Sequence, residues 1–113
     1  MTNTFNLDAG NGSNKIDGGA GNDSITAGTG ADSIIGGAGN DTFVFASGEL
    51  TSTDVVVGGD GTDTLTLVTA AAATPSVTEI EIINATISAT GITLTLTSAT
   101  DLTTLIMTDT DGD

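Results

Sequence analysis

Large apolar side chains recur at a constant interval of nine residues in the first part of the chain: Leu7, Ile16, Ile25, Ile34 and Phe43. An acid or amide stands two positions before each of the last four, and glycines crowd the turn ahead of it. A nine-residue period does not fit the 3.6-residue period of a helix, and glycine disfavours helix further. The pattern predicts three-residue strands with an inward middle side chain, joined by tight turns.

The repeat fills four consecutive units, at residues 9–17, 18–26, 27–35 and 36–44. Residues 46–53 break the register. Asp54 lies 22 residues after Asp32 instead of 18, so four residues have been inserted, and the nine-residue rhythm resumes with the unit at 58–66. We expect the insertion to form a loop at one edge of a continuing stack of coils.

The chain changes character after residue 67, where an Ala/Thr-rich connection leads into alternating apolar and polar residues. The apolar positions are Ile80 and Ile82, then Ile92, Leu94 and Leu96, then Leu105 and Met107. Alternation predicts half-buried strands, with Glu79 and Glu81 on the solvent face. We predict wider, irregular parallel coils over 68–113 that continue the stack. An antiparallel sandwich is the alternative, because alternation alone does not fix strand direction.

Two nine-residue units make one coil of 18 residues, so turns on the same side lie one strand spacing apart, about 4.8 Å. This geometry stacks Asp23 on Asp41 along one edge and Asn14 on Asp32 along the other. Carboxylates so close repel each other, and a hard divalent cation between them turns repulsion into coordination. Calcium takes six to eight oxygen ligands at about 2.3–2.6 Å. Backbone carbonyls of the glycine-rich loop can supply the remainder, because glycine lets the chain fold around an ion.

Composition narrows the function further. The 113 residues include one basic residue and 15 acids, a formal charge of −14. Such a chain excludes nucleic acid and anionic membrane as partners, since both need Lys and Arg, and its self-repulsion opposes folding unless cations intervene. It has no Cys and no His. Disulfide bonds are therefore excluded, and calcium is the remaining candidate for stabilising so small a domain. The same absences argue against an enzyme, because Lys15 has no evident partner for activating a nucleophile.

The stretch Gly18 to Thr26 reads G-G-x-G-x-D-x-U-x, where U is a large aliphatic residue. Over residues 4–67 the chain resembles the RTX calcium-binding β-roll family, whose signature is this nonapeptide. The resemblance implies an all-β, right-handed parallel β-roll or β-helix solenoid that binds several calcium ions. It divides the chain into a β-roll at 1–67, with an inserted loop at 46–53, and a Thr-rich β-helical continuation at 68–113. We expect one continuous solenoid cut from a longer protein.

The resemblance also carries over a ligand set. Ligands in the family are the Asp at position six of each unit, here Asp23, Asp32, Asp41 and Asp63, together with loop carbonyls. The loop positions are Gly18, Ala20, Asn22, Gly28, Gly30, Gly36, Ala38, Asn40 and Asp60. Asn14 offers only a neutral oxygen, so its site should be weaker, and Asp54 is in register but lacks a glycine loop before it. Asp-Gly loops are also ordinary turns, but several units in one register favour calcium. Residues 109–113 are either a truncated calcium loop or a free acidic tail.

Residues 68–113 are rich in Thr alternating with Val, Ile and Leu, and in this composition they resemble RTX-type bacterial S-layer proteins. That family is exported by type I secretion and folds outside the cell in calcium, which agrees with the missing N-terminal signal peptide. The resemblance implies a structural, self-assembling module at the cell surface. The alternatives are a calcium-dependent segment of a large adhesin, which could bind ice, and the folding and secretion domain of an exported enzyme.

Overall fold

The computed structural model describes residues 3–68, 75–87, 95 and 101–110, and every regular element there is a β-strand. The strands are β1 (Asn6–Asp8), β2 (Lys15–Ala20), β3 (Ser24–Thr26), β4 (Ser33–Ala38), β5 (Thr42–Phe45), β6 (Val55–Asp60), β7 (Thr64–Leu67), β8 (Ser76–Thr78), β9 (Ile82–Ile87) and β10 (Thr104–Asp109). Five strands have three or four residues and five have six, and among the latter β2, β4 and β6 extend through the glycines that the repeat pattern places in turns. No helix in the described ranges has the length and apolar character needed to cross a bilayer.

The strands form two parallel sheets, and the chain crosses between them at each turn. The long sheet has the order β1-β3-β5-β7-β9-β10, and the short sheet has the order β2-β4-β6-β8. Every strand pair in the described residues is parallel. This arrangement is a β-solenoid and confirms the predicted fold class. The antiparallel sandwich is excluded, because β8, β9 and β10 join the same two sheets in parallel.

The coil length follows the predicted spacing. Leu7 pairs with Ile25 and Ile25 with Phe43, so these coils advance by 18 residues. Ile34 pairs with Val56, an advance of 22 residues. The four additional residues belong to the predicted insertion, which turns at one edge of the stack, where the Glu49 amide donates to the Ala46 carbonyl at 3.1 Å. The register of both sheets survives the insertion because the loop lies outside them.

The core is a single layer of inward side chains between the sheets. Ile25, Ile34 and Phe43 are fully buried, as the nine-residue column predicts, whereas Leu7 and Ile16 pack partly buried against it in the first coil. The other buried apolar residues are Ala27, Phe45, Leu50, Val56, Leu65, Leu67, Val77, Ile80, Ile83 and Ala85. Burying one such aliphatic or aromatic side chain contributes about 1.5–3 kcal/mol, and each coil contains only a few of them.

One sequence prediction about the last short-to-long crossing is wrong. Glu79 and Glu81 do not line the solvent face of a strand, because β8 ends at Thr78 and β9 begins at Ile82. Ile80 is buried in this corner, and Glu79 adopts a φ of 55°. The corner is tight because it lacks the glycine loop of the preceding coils. The predicted strand positions Ile92, Leu94 and Leu96 lie outside the described residues, as do residues 111–113.

Candidate metal centre

The position-six residues of the repeat lie where the chain crosses between sheets. Crossings from the short to the long sheet contain Asp23, Asp41 and Asp63, which define the first edge. Crossings from the long to the short sheet contain Asn14, Asp32 and Asp54, which define the second edge. The two edges lie on opposite sides of the solenoid because the crossings alternate.

One carboxylate oxygen of each Asp accepts a backbone hydrogen bond from the preceding coil. On the first edge, Oδ1 of Asp41 accepts from the Asp23 amide at 2.8 Å, and Oδ1 of Asp63 accepts from the Asp41 amide at 2.7 Å. On the second edge, Oδ1 of Asp32 accepts from the Asn14 amide at 2.9 Å. The structure therefore brings together the residue pairs that the 18-residue coil predicts.

The second carboxylate oxygen is unsatisfied in four of these residues. The Oδ2 atoms of Asp23, Asp32, Asp41 and Asp63 are buried and have no hydrogen-bond partner, and these side chains are at most 2% exposed. A buried ionised oxygen without a partner is strongly unfavourable, and proteins neutralise such groups or bind a cation to them. The unsatisfied oxygens are therefore positions where a hard cation would remove an existing penalty.

Asp54 occupies the same position but differs chemically. Its Oδ2 accepts the Thr51 amide at 2.6 Å and the Thr51 hydroxyl at 3.1 Å, and its Oδ1 accepts the Asp32 amide at 2.8 Å. Thr51 belongs to the inserted loop, so the insertion supplies the donors that the other Asp residues lack. Asp54 consequently has no unsatisfied oxygen to offer a cation.

Each first-edge unit begins with glycine (Gly18, Gly36 and Gly58), so no side chain occupies the Cβ position beside the unsatisfied oxygens; we call this position the glycine space. A Cβ on Gly18 would lie 2.6 Å from Asp23 Oδ2 and 2.6 Å from the carbonyl oxygen of Gly36, one coil further on. Two oxygens at that distance from one point are near enough for a single calcium ion to contact both. The same arrangement recurs at Gly36 with Asp41 Oδ2 and the Gly58 carbonyl. The donor set of carboxylate and carbonyl oxygens fits calcium.

Replacing Gly36 with Ala tests this crowding directly. The new methyl group would overlap Asp41 Oδ2, lie 2.6 Å from the Gly58 carbonyl and lie 2.9 Å from Phe43 Cζ. We expect a loss of about 3 kcal/mol in stability, the upper end of the range for overpacking, and weaker calcium binding. Calcium titration and thermal unfolding measure both. Gly48→Ala is the control, because Gly48 has a φ of 75° but open space around it, so it carries backbone strain alone. Equal losses would contradict the crowding.

Electrostatics on the first edge point the same way. Burial raises the pKa of the Asp63 carboxyl to about 6, opposed by the hydrogen bond from the Asp41 amide and assisted by the charges of Asp41, Glu81 and Glu79. Burial also raises the pKa of Asp41, against the hydrogen bond from Asp23 and with the charge of Asp23. Both carboxyls therefore hold their negative charge less readily than in water, as expected for anions stacked without a counter-ion.

Among the loop residues predicted as ligands, Gly18, Gly28 and Gly36 are buried, and the other six are exposed. The Asn22 and Asn40 side chains form a ladder: Asn22 Oδ1 accepts the Asn40 amide at 2.8 Å, and Asn40 Oδ1 accepts the Thr62 amide at 3.0 Å. Their amide oxygens thus bridge coils, so any contribution of these two residues to a cation site would come from their backbone carbonyls. The Ala38 carbonyl accepts the Gly21 amide, and the Asp60 carbonyl accepts the Gly39 amide, both at 2.8 Å. Ala20 is in register with Ala38.

Gly28 and Gly30 serve close packing on the second edge. A Cβ on either would overlap the backbone of Gly10 or Gly12 in the preceding coil. At the first position of the unit, where the first edge has Gly18, the second edge has Ala27. The glycine space beside the carboxylates is therefore a property of the first edge.

Sequence reasoning missed Glu81, which continues the first-edge column. Glu81 Oε2 accepts the Asp63 amide at 2.7 Å, the role that Asp63 Oδ1 plays for Asp41. The separation of Asp63 and Glu81 is again 18 residues, so the spacing could have revealed it. Among the described residues, no group of three or more acidic side chains is placed to hold a metal ion. A cation on this edge would therefore depend on backbone oxygens as well.

The fold and turns define a class of protein: a parallel β-solenoid whose glycine turns stack buried carboxylates at each coil. The family model for the RTX calcium-binding nonapeptide repeat (4 copies) matches residues 7–48 and 51–66, just over half of the chain. The chain belongs to this family. It is a module of a secreted protein, and its repeats bind several calcium ions. Repeats of this kind form a structural fold. No curated protein and no solved structure was matched.

Proposed function

We propose that this chain is a calcium-dependent structural module of a bacterial cell-surface protein, of the S-layer lattice type, in which calcium drives folding and assembly. The observation that carries the proposal is the set of four buried, unpartnered carboxylate oxygens in register on successive coils. A chain with a net charge of −14 can fold compactly only if these charges are compensated. Calcium is the hard divalent cation whose preference for oxygen ligands suits these turns.

The proposed ligands on the first edge are Asp23, Asp41 and Asp63. The unpartnered Oδ2 atoms of Asp23 and Asp41 each lie beside a glycine space that a carbonyl of the next repeat coil also reaches, and Asp63 follows Asp41 in the same column. Loop oxygens complete the coordination, and we assign them to Gly18, Ala20, Asn22, Gly36, Ala38, Asn40 and Asp60. When bound, calcium supplies positive charge at the point where the stacked carboxylates would otherwise repel, and these residues hold it in the turn.

The second edge is proposed to bind calcium more weakly. Asp32 has an unpartnered Oδ2 and would use the carbonyls of Gly28 and Gly30. Its neighbours contribute less: Asn14 is neutral, and Asp54 is satisfied by Thr51. The second edge therefore has one unsatisfied carboxylate, whereas the first edge has three.

We also propose that residues 1–67 and 68–113 form one continuous solenoid. Support comes from the pairing of β6 with β8 and of β7 with β9 across the boundary. β10 ends the long sheet and exposes Leu105, Ile106 and Met107 by 54%, 50% and 56%. An exposed apolar terminal strand favours association with another chain or further coils, which supports the assembly part of the proposal.

Electron microscopy of the purified chain with and without millimolar calcium tests the proposed function. A lattice module should form ordered sheets or oligomers in calcium and disperse in chelator. A chain that binds calcium but stays monomeric would contradict the lattice role. In that case, binding of a ligand such as ice or a glycan would indicate an adhesin segment, and calcium-dependent folding of a fused partner would indicate a secretion domain.

A further inference from the structure

The carboxylate column of the first edge does not end with the nonapeptide repeats. The match to the repeat family ends at residue 66, but Glu81 accepts the Asp63 amide one coil later. Glu81 thus occupies the place of a position-six Asp in a turn that has no glycine loop. The side chain of Glu is one methylene longer than that of Asp, so its carboxylate can reach the Asp63 amide from a corner whose backbone path differs from that of the repeats.

The corner of residues 79–81 also replaces the carbonyl that the repeats provide. At Gly18 and Gly36, the oxygen facing the glycine space comes from the first glycine of the next coil. At Gly58 it comes from the Glu79 carbonyl, which a Cβ on Gly58 would overlap. Glu79 reaches this position with a φ of 55°, a left-handed conformation that is uncommon for a residue with a side chain. The strained corner places an oxygen where the repeats place one.

Asp63 provides the unsatisfied group at this position. Its side chain is 0% exposed, its Oδ2 has no hydrogen-bond partner, and that atom would lie 2.5 Å from a Cβ on Gly58. The Glu79 carbonyl meets the same point. An unpartnered buried carboxylate oxygen and a backbone oxygen therefore converge, with the Glu81 carboxylate hydrogen-bonded to the amide of the same Asp.

We propose that the corner Glu79–Glu81 and Asp63 form an additional calcium site. The site lies at the end of the last repeat and takes part of its ligands from residues beyond it. In this site, Asp63 Oδ2 and the Glu79 carbonyl are ligands. Glu81 contributes the second carboxylate, which in the repeat sites comes from the Asp of the next coil. The inference rests on the proposed function, because it assumes that the unpartnered carboxylates of the first edge bind calcium. It extends the calcium column by one coil into the Thr-rich region and ties that region to the same ion.

Glu81→Gln in the full chain is the test variant. Its amide oxygen can still accept the Asp63 amide, so the substitution removes charge and leaves the hydrogen bond. Glu49→Gln is the matched control, because Glu49 Oε2 also accepts a backbone amide, that of Ala46 at 2.7 Å, within the inserted loop. Isothermal titration with calcium should show that E49Q binds as the unmodified chain does. E81Q should lose one ion, or bind one ion about tenfold more weakly, the order expected when a group supporting a metal site is removed.

The outcomes separate this inference from the proposed function. If the unmodified chain binds no calcium, the proposed function fails. If it binds calcium and E81Q equals E49Q, the proposed function stands and the additional site is overturned. Should E81Q fail to fold in saturating calcium, Glu79→Gln replaces it, since it keeps the Glu79 carbonyl and the Glu81 hydrogen bond. E79Q should weaken one ion by about threefold through lost attraction, and an unchanged titration would overturn the site.

Discussion

Removal of calcium at neutral pH is expected to unfold residues 1–67 almost completely. Without the ion, neighbouring ionised carboxylates on the first edge stand about one strand spacing apart, where two unit charges repel by about 3 kcal/mol at an effective dielectric constant of about 20. The buried Oδ2 atoms add a desolvation penalty, and the core is one layer thick. Extracellular calcium modules bind with dissociation constants of about 10⁻⁴–10⁻³ M. At ten times that concentration each site contributes about 1.4 kcal/mol, so several sites decide whether the chain folds.

Far-UV circular dichroism during a chelator titration measures this effect. The β-sheet signal should disappear as calcium is removed and return when calcium is added back. Two controls separate coordination from charge screening: magnesium at the same concentration should restore less signal, because it demands a tight octahedral site, and sodium chloride should restore less still, because it screens mainly exposed charges. A β-sheet signal that ignores chelation would contradict the role of the ion.

The nine-residue period carries most of the fold. Inward side chains at that interval define both sheets, and the 22-residue separation of Asp32 and Asp54 locates the insertion from the sequence alone. Parallel pairing in the last third could not be derived in the same way, since alternation in β9 is compatible with either direction. Alternation does not predict the tight corner either. It places Ile80 and Ile82 in one inward row and Glu79 and Glu81 in an outward row, whereas the inward residues of β9 are Ile83 and Ala85.

The candidate site shows a different limit of sequence reasoning. Spacing predicts that Asp23 lies beside Asp41, but it does not reveal that one oxygen of each Asp is already engaged by a backbone amide. The second oxygen is the one without a hydrogen-bond partner, and that follows from the path of the turn. Asp54 illustrates the point, because its register is that of a ligand and Thr51 nevertheless satisfies it. Such local donors come from the inserted loop, whose conformation the repeat does not encode.

Substituting Asp41 with Asn is expected to have opposite effects with and without calcium. The amide oxygen of the substituted side chain can still accept the Asp23 amide, as Asp41 Oδ1 does at 2.8 Å, while the charge and the ligand at Oδ2 are removed. In calcium, binding at the first edge should weaken by about tenfold or more, and a higher calcium concentration should be needed to reach the folding midpoint. In chelator, with a stabilising osmolyte to populate the folded state, the variant should be more stable than the unmodified chain, because one buried, repelled charge is gone.

Asp17→Asn is the matched control, because Asp17 is exposed in β2 of an adjacent coil and its substitution changes the net charge equally. Calcium-dependent folding followed by circular dichroism should give nearly the same midpoint for D17N and the unmodified chain. If D41N and D17N shift the midpoint equally, net charge and not coordination governs folding.

Asp23→Ala tests the pairing of the edges: it should weaken calcium binding at the neighbouring Asp41 position and leave Asp32 on the second edge largely unaffected. Equal losses on both edges would contradict the pairing, since each edge stacks its own carboxylates and shares none with the other.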